Sequence, residues 1–309
     1  MKCGVVVPSL GGPGLAACLD SVRRLDPPAT AVVAVVSGDR AANVSTPEGV
    51  RRVSSTPRLG FAAAVNAGLA ALPPGLDAAA IVNDDVLLQP VWLGRLAAHL
   101  DRHPRLAAVQ GTVQTANGSR VDGRGVAFSR YGLPVQIDRG AAPTPEPSPG
   151  PEPVAVSLTA ALLRRRALEE VAFPGTGAVL DEAFDSYHED TDLGLRLIRL
   201  GWRAGWVPDA PCRHVGSSTG AKLRWRHPWW LLANPWRLVA GNLTYDGVRR
   251  LTRRMAWGEL RATLRLSVRN PLVLLVAPTV ATKVRRIVAQ ASARETPGPR
   301  LQSLPGMSS

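Results

Sequence analysis

Asn83, Asp84 and Asp85 follow directly on the apolar run "LDAAAIV". Paired carboxylates at a strand end repel each other unless a cation or hydrogen-bond donors neutralise them. Magnesium and manganese take oxygen ligands, commonly one or two carboxylates completed by phosphate oxygens and water. Asn-Asp is also ordinary turn chemistry, so the tripeptide alone leaves both readings open. A second cluster lies in "YHEDTDLG", where Glu189, Asp190 and Asp192 open an amphipathic segment. Acidic residues complement the dipole of a helix in its first turn, and aspartate caps. Three in four positions exceed what a cap requires. His214, in "VPDAPCRH", follows a strand-like run and reads alone as structural or as catalytic. Gly60 and Asn66 interrupt the apolar stretch "GFAAAVNAGL", as a tight helix entry and a solvent-facing residue or as ligand contacts.

The elements that must carry these residues are legible as alternating patterns. "GVVVPS", "AVVAVVSG", "RRVSST", "AAAIVN" and "RLAAVQGT" read as strands, separated by helix-like runs at 14–25, 60–72 and 91–103. Strands alternating with helices of this length predict right-handed βαβ units and a mainly parallel sheet flanked by helices. Ligands sit at the carboxyl ends of such strands, where Ser9, Asp39, Asn83, Asp84 and Asp85 fall. Beyond residue 112 come short polar strands rich in turn residues, then "AAPTPEPSPGPEP" (141–153), a surface connection or a lid. "VAVSLTAALL" reads as a strand, "RRRALEEV" as a helix, and 189–201 as an amphipathic helix closed by Gly201.

Charge separates a body from an end. The net charge is +13, yet residues 1–219 hold 21 Lys+Arg and 21 Asp+Glu, while 220–309 hold 16 and 3. A basic end on a neutral body points to a docking surface rather than to wholesale nucleic-acid binding. Five of the eight tryptophans lie there, interleaved with arginine, as in "RWRHPWWLLANPWR". Two readings stay open: a helical extension packing its tryptophans on the body, or an interface for an anionic membrane surface. Three cysteines without a CxxC pair exclude a disulfide framework. No run is long and apolar enough for a signal core or a span, so the expectation is a cytoplasmic chain, at most peripheral at the inner face of the plasma membrane.

The order of these blocks resembles the family 2 glycosyltransferases of the GT-A fold, in particular the non-processive, rhamnosyltransferase-like bacterial members. "VVVPSLGG", "VVSGD", "GFAAAVNAG", "NDD", "RRRALEEVA", "LDEAFDSYHEDTDLGLRLIRLG" and "VPDAPCRH" follow that family's order over residues 3–217. Leu180 stands where phenylalanine is common. The resemblance implies a GT-A, Rossmann-like nucleotide-diphospho-sugar transferase: a mixed, mainly parallel sheet flanked by helices, with a C-terminal helical basic extension. It implies a catalytic domain at 1–219, with a nucleotide-sugar half (1–112) and an acceptor half (113–219). Charge and composition, beyond the reach of the resemblance, assign residues 220–290 to the extension and 291–309 to a disordered tail. Asp85 and His214 would hold a divalent metal, Mg2+ or Mn2+. Pro8, Ser9, Asp39, Gly60, Asn66, Asn83 and Asp84 would line the nucleotide sugar. Asp190 would be the general base, supported by Glu189 and Asp192. The implied reaction is inverting transfer of one sugar from a UDP- or dTDP-linked donor to an acceptor hydroxyl, in cell-envelope polysaccharide, glycolipid or secondary-metabolite synthesis. The resemblance does not name the acceptor; the basic end leaves a lipid-linked one open, and nucleic acid is not an expected partner. An inactive nucleotide- or membrane-binding scaffold and a sugar nucleotidyltransferase are the alternatives. The intact Asp85, Asp190 and His214 oppose the first, and "PSLGGPG", without Lys or Arg, opposes the second.

Overall fold

Apolar runs that alternate their side chains across both faces of a sheet dictate the centre of the molecule. The computed structural model describes residues 1–144, 152–216, 226–269 and 271–307. In chain order it begins with β1 (Cys3–Ser9), α1 (Leu15–Arg23), β2 (Ala31–Ser37), β3 (Val50–Ser55), α2 (Phe61–Ala71), β4 (Ala78–Val82), β5 (Val86–Leu88) and α3 (Trp92–Arg102). There follow β6 (Leu106–Thr115), β7 (Val121–Gly123), β8 (Val126–Phe128), β9 (Pro134–Gln136), β10 (Ala160–Arg164), α4 (Arg165–Val171), α5 (Glu189–Arg199) and β11 (Arg203–His214). The C-terminal region supplies α6 (Arg226–Asn242), α7 (Tyr245–Arg269) and α8 (Leu272–Ala293). Most of the proline-rich loop (145–151) and the start of the basic extension (217–225), with Trp225, lie outside the described residues.

The main sheet runs β3-β2-β1-β4-β10-β6-β11-β5, with β7 added to β6. β1 pairs in parallel with β2 and β4, and β2 with β3. β10 enters antiparallel between β4 and β6, and β6 runs parallel to β11. The sheet is therefore mixed and mainly parallel, as expected. Because β10 opposes both its neighbours, the carboxyl ends of β1, β2, β4, β6 and β11 share one edge. Val5, Val7, Ala78, Ala80 and Val82 pack on one face with Leu19, Trp92, Leu93 and Leu96 of α1 and α3. Val6, Ala79 and Ile81 pack on the other with Val65, Leu168, Leu193 and Leu197 of α2, α4 and α5. Both faces are dry, which is why these strands are almost continuously apolar.

The extension is not a separate body. Trp236, Leu238 and Val239 of α6 and Leu251 and Met255 of α7 share one core with Phe184 and Leu195 of the catalytic region. The tail also departs from expectation: residues 294–307 are ordered against the body rather than disordered. Leu304 is buried, and Leu301 exchanges backbone hydrogen bonds with Asn242 and Thr244. Arg199 donates to the carbonyls of Gly298 and Pro299. Arg294 bridges the carboxylates of Asp181 and Asp192. Gly, Pro and Ser in "RETPGPRLQSLPG" carry no periodicity, and the partners that order it, from Asn242 back to Asp181, are distant in the chain.

Asp192 is fully buried between Arg196 and Arg294. Removing one partner of a buried ion pair leaves an uncompensated charge and costs about 3–5 kcal/mol. Arg196 remains after Arg294→Met, so we expect a loss near the lower end, about 3 kcal/mol. A fall in the urea unfolding midpoint at neutral pH is the readout; an unchanged midpoint would show that the tail clasp contributes nothing.

Candidate active site

The loop after β1 and the turn after β4 form a single knot. Ser9 Oγ donates to Asp84 Oδ2 at 2.5 Å and accepts from the Gly11 amide at 2.9 Å. A Cβ on Gly14 would lie 2.6 Å from the Asp84 carbonyl, so glycine is what lets the "LGGPG" loop lie on the "NDD" turn. Pro8, buried, lies beyond the last β1–β4 register pair, Val6 with Ile81. The Asn83 amide donates to Thr159 O at 2.9 Å, and the Val86 amide to Asn83 O at 3.1 Å, which closes the turn. Asn83 Oδ1 is buried without a partner among the described residues.

Asp85 is set apart from its neighbours. Its Oδ2 lies 3.2 Å from His214 Nε2, and its Oδ1 is buried without a protein partner among the described residues. β11 brings His214 there by pairing with β5, His214 opposite Val86, and the Val215 amide donates to Asp85 O at 2.8 Å. The other imidazole nitrogen, Nδ1, is 2.8 Å from Asp122 Oδ2. Burial works to lower the His214 pKa, but hydrogen bonds to Asp122 and Asp85 outweigh it and raise it to about 9. The same contact holds the Asp122 carboxyl below its ordinary value. Asp122 sits on β7 in "RVDGRG", where nothing in the spacing singled it out.

The donor set fits a divalent cation that brings its own oxygen ligands. No three His, Cys, Asp or Glu side chains form a metal cage among the described residues. The available donors are the orphaned Asp85 carboxylate oxygen and His214 Nε2, with Asp122 behind the imidazole. A carboxylate on the far nitrogen is the usual support of a metal-binding histidine, and phosphate and water oxygens normally complete such sites. A histidine ligand is neutral, so cation binding would displace the His214 proton.

The second acidic centre opens α5. Asp185, Tyr187 and His188 have φ of 58°, 70° and 73°, left-handed conformations that bulky residues adopt only when neighbours enforce them. Asp190 Oδ1 accepts from the Thr191 amide at 2.6 Å and the Thr191 hydroxyl at 3.0 Å. Burial raises its pKa, and those bonds with a further one from the Leu158 amide oppose the rise. Glu189 Oε2 is buried without a partner among the described residues; burial first, and then the Asp190 charge, raise its carboxyl well above the ordinary range. The environments therefore divide two adjacent acids, Asp190 with side-chain and backbone donors from Thr191 and Leu158, and Glu189 with one carboxylate oxygen left unpartnered among the described residues. Tyr187, raised by burial and then by Glu189, also feels Asp85, so both acidic centres stand within electrostatic reach of one phenol. Residues 157–159 link them, with Leu158 on Asp190 and Thr159 on Asn83.

Other residues expected in the site lie elsewhere. Asn66 spends its side chain on the protein, donating to Leu180 O and Glu182 Oε1 and accepting from the Val179 and Leu180 amides. It is a latch for 179–182, not a solvent-facing or nucleotide-facing group. A Cβ on Gly60 would lie 2.2 Å from Asp185 Oδ1, so Gly60 admits the Asp185 loop to the start of α2. Asp192 is fully buried, bonded to Arg196 Nε at 2.9 Å, Asn242 Nδ2 at 2.7 Å and Arg294. Arginine charges hold its carboxyl at about 2 against the opposing effect of burial. Its carboxylate is committed to folding rather than to an acceptor. Asp39 is exposed just past β2, on the same sheet edge as Asp84.

Comparison with known proteins closes the case for the family. No curated protein matches the sequence. Among solved structures, a mannosyltransferase from Pyrobaculum calidifontis, PcManGT, in complex with GDP-Man and Mn2+, is 18% identical with a TM-score of 0.54, covering 94% of this chain and 83% of that one. GalNAc-T7 with UDP, GalNAc and Mn2+ is 14% identical with a TM-score of 0.57, covering 88% of this chain and 58% of that one. TarS of S. aureus is 16% identical with a TM-score of 0.50, covering 78% of this chain and 42% of that one. At these identities the likeness is one of fold, and the fold is GT-A. The sequence itself matches the family described as "Glycosyl transferase family group 2" over residues 80–289, well over half its length. The chain belongs to that family and is a glycosyltransferase.

Proposed function

We propose that the chain is a metal-dependent, inverting enzyme that moves one sugar from a UDP- or dTDP-linked donor to an acceptor hydroxyl. The observation that carries this reading is the buried Asp85 Oδ1, without a partner among the described residues, beside a histidine that Asp122 orients. Asp85 and His214 would hold Mg2+ or Mn2+, which when bound offsets charge developing on the nucleoside diphosphate leaving group. Pro8, Ser9, Asp39, Asn83 and Asp84 would shape the nucleotide side of that edge. Two solved structures of the same fold carry Mn2+ with GDP-Man or with UDP and GalNAc, which supports the donor class and the metal.

Asp190 takes the proton of the acceptor hydroxyl as that oxygen bonds to the anomeric carbon. The bond from this carbon to the diphosphate oxygen breaks on the opposite face, so one displacement inverts the configuration. Asp190 suits a base because donors from Thr191 and Leu158 oppose the rise that burial imposes, while Glu189, raised well above the ordinary carboxyl range by burial and by the Asp190 charge, stays neutral longer. The motif order is that of rhamnosyltransferase-like members, and the basic, tryptophan-rich end suits a lipid-linked acceptor at the cytoplasmic face of the plasma membrane, in envelope or glycolipid synthesis.

A thermal-shift series of nucleoside diphosphates with Mn2+ identifies the base, and NMR of the product anomer tests inversion. Asp190→Asn is expected to bind donor normally and to lose transfer by about 10²–10⁴-fold; near wild-type transfer would remove Asp190 from this role. Because the base works ionised and its pKa is raised, the rate should climb with pH through an acid limb lying above the ordinary aspartate value. A limb at or below that value would contradict the assignment. Asp122→Asn is expected to weaken Mn2+ binding about 10–100-fold, read by calorimetry without donor. Unchanged affinity would place His214 outside the metal shell.

A further inference from the structure

Helices α6, α7 and α8 use their apolar residues in two directions. Trp230 and Trp236 of α6, Leu251 and Met255 of α7, and Val273, Val280 and Ile287 of α8 are buried. A second set on α7 faces out: Trp257, Leu260, Leu264 and Val268 are 55%, 49%, 57% and 85% exposed. Steps of three, four and four residues place them on one stripe of the helix, opposite Leu251 and Met255. Leu274 and Leu275, 54% and 71% exposed, open α8 at the end of the hairpin where α7 finishes. Single exposed apolar residues are ordinary, whereas a continuous run of them marks an interaction surface.

Charge says what the surface meets. Exposed Arg253, Arg261 and Arg265 border the stripe at helical spacing, and α8 adds exposed Lys283, Arg285 and Arg286. The only acids in α7 and α8 are Asp246 and Glu259. No described helix is long and apolar enough to cross a membrane. An arginine-flanked face of tryptophan, leucine and valine on helices of modest hydropathy is the composition of an interfacial helix. Nucleic acid asks for aromatic stacking platforms along a basic groove, not for an aliphatic stripe. A second copy of the chain would bring the same positive charge to the same face.

We propose that the outer face of the α7–α8 hairpin docks on the surface of an anionic lipid bilayer. Trp257, Leu260, Leu264 and Val268 enter the headgroup–acyl boundary, and the bordering arginines meet lipid phosphates. The inference deepens the transferase reading by naming the surface that would present a lipid-linked acceptor; docking itself requires no donor and no turnover.

The full-length chain is pelleted with phosphatidylcholine vesicles, with or without phosphatidylglycerol, at low and high salt, and its oligomeric state is measured by sedimentation velocity without lipid. Binding is expected to phosphatidylglycerol-containing vesicles at low salt, weakening at high salt. Leu264→Glu with Val268→Glu should lower the bound fraction about tenfold or more, leaving far-UV circular dichroism and donor hydrolysis in solution unchanged. Arg261→Ala and Arg265→Ala should each weaken binding about fivefold at low salt. No pelleting at low salt, pelleting indifferent to these substitutions, or a dimer abolished by the glutamate pair would each overturn the proposal. Vesicle binding without donor hydrolysis would overturn the transferase reading alone.

Discussion

One buried carboxylate joins the three parts of this molecule. Asp192 lies in α5, Asn242 in α6 and Arg294 in the tail, and all meet with Arg196; Asp192, Asn242 and Arg196 are fully buried there and Arg294 nearly so. A charge taken out of water costs several kcal/mol unless geometry and hydrogen bonds compensate it. Here two guanidinium groups and an amide do so, and the carboxyl titrates at about 2. Since the folded value lies below the unfolded one, the stabilisation is complete at neutral pH and is lost only as pH falls toward 2. Docking of extension and tail is therefore a condition of burying Asp192. It follows that Asp190, two residues upstream, is held by contacts formed up to a hundred residues away.

The strands and helices of the body were legible because their signal is local. "GVVVPS" and "AAAIVN" alternate between two dry faces, and a parallel strand buried on both sides must be apolar throughout. The placement of Asp85 and His214 was also readable, since strand ends in a mainly parallel sheet converge on one edge. Asp122 was not readable. It stands in a three-residue strand whose neighbours are turn formers, and its partner His214 lies far along the chain. The ordered tail escaped for the same reason: its partners, Arg199, Asn242 and Asp192, are distant in sequence.

Motif residues were easier to find than to interpret. In "GFAAAVNAG", Gly60 makes room for Asp185, Asn66 pins residues 179–182, and a Cβ on Gly68 would lie 2.2 Å from Val6 Cγ1. All three position the segment between α4 and α5 or seat α2 on the sheet. A residue type at fixed spacing states that a contact is needed there; it does not state whether the contact is with ligand or with protein. Asp192 in "EDTDLG" repeats the lesson, since two neighbouring acids in one motif face different surroundings.

The segment before α5 ties the extension to the candidate active site. Left-handed φ at Asp185, Tyr187 and His188 stores strain that the surroundings must over-determine. Burial lowers the His188 pKa to about 4, so this imidazole stays neutral and adds no charge to the turn. Asn234 of α6 offers its amide nitrogen to the carbonyls of Phe184, Ser186 and Tyr187 at 3.0, 2.9 and 2.8 Å. Trp230 of the same helix lies 6.0 Å from the Tyr187 ring, centroid to centroid, and Arg58 pairs with Asp185 at 3.2 Å. An amide with two protons meeting three carbonyls shares at least one of them, so the turn is held at a point rather than along a ladder. Glu189 and Asp190 begin where that turn ends. A fold boundary near residue 217 would cut Asn234, Asn242 and Arg294 away from the loop and helix they hold.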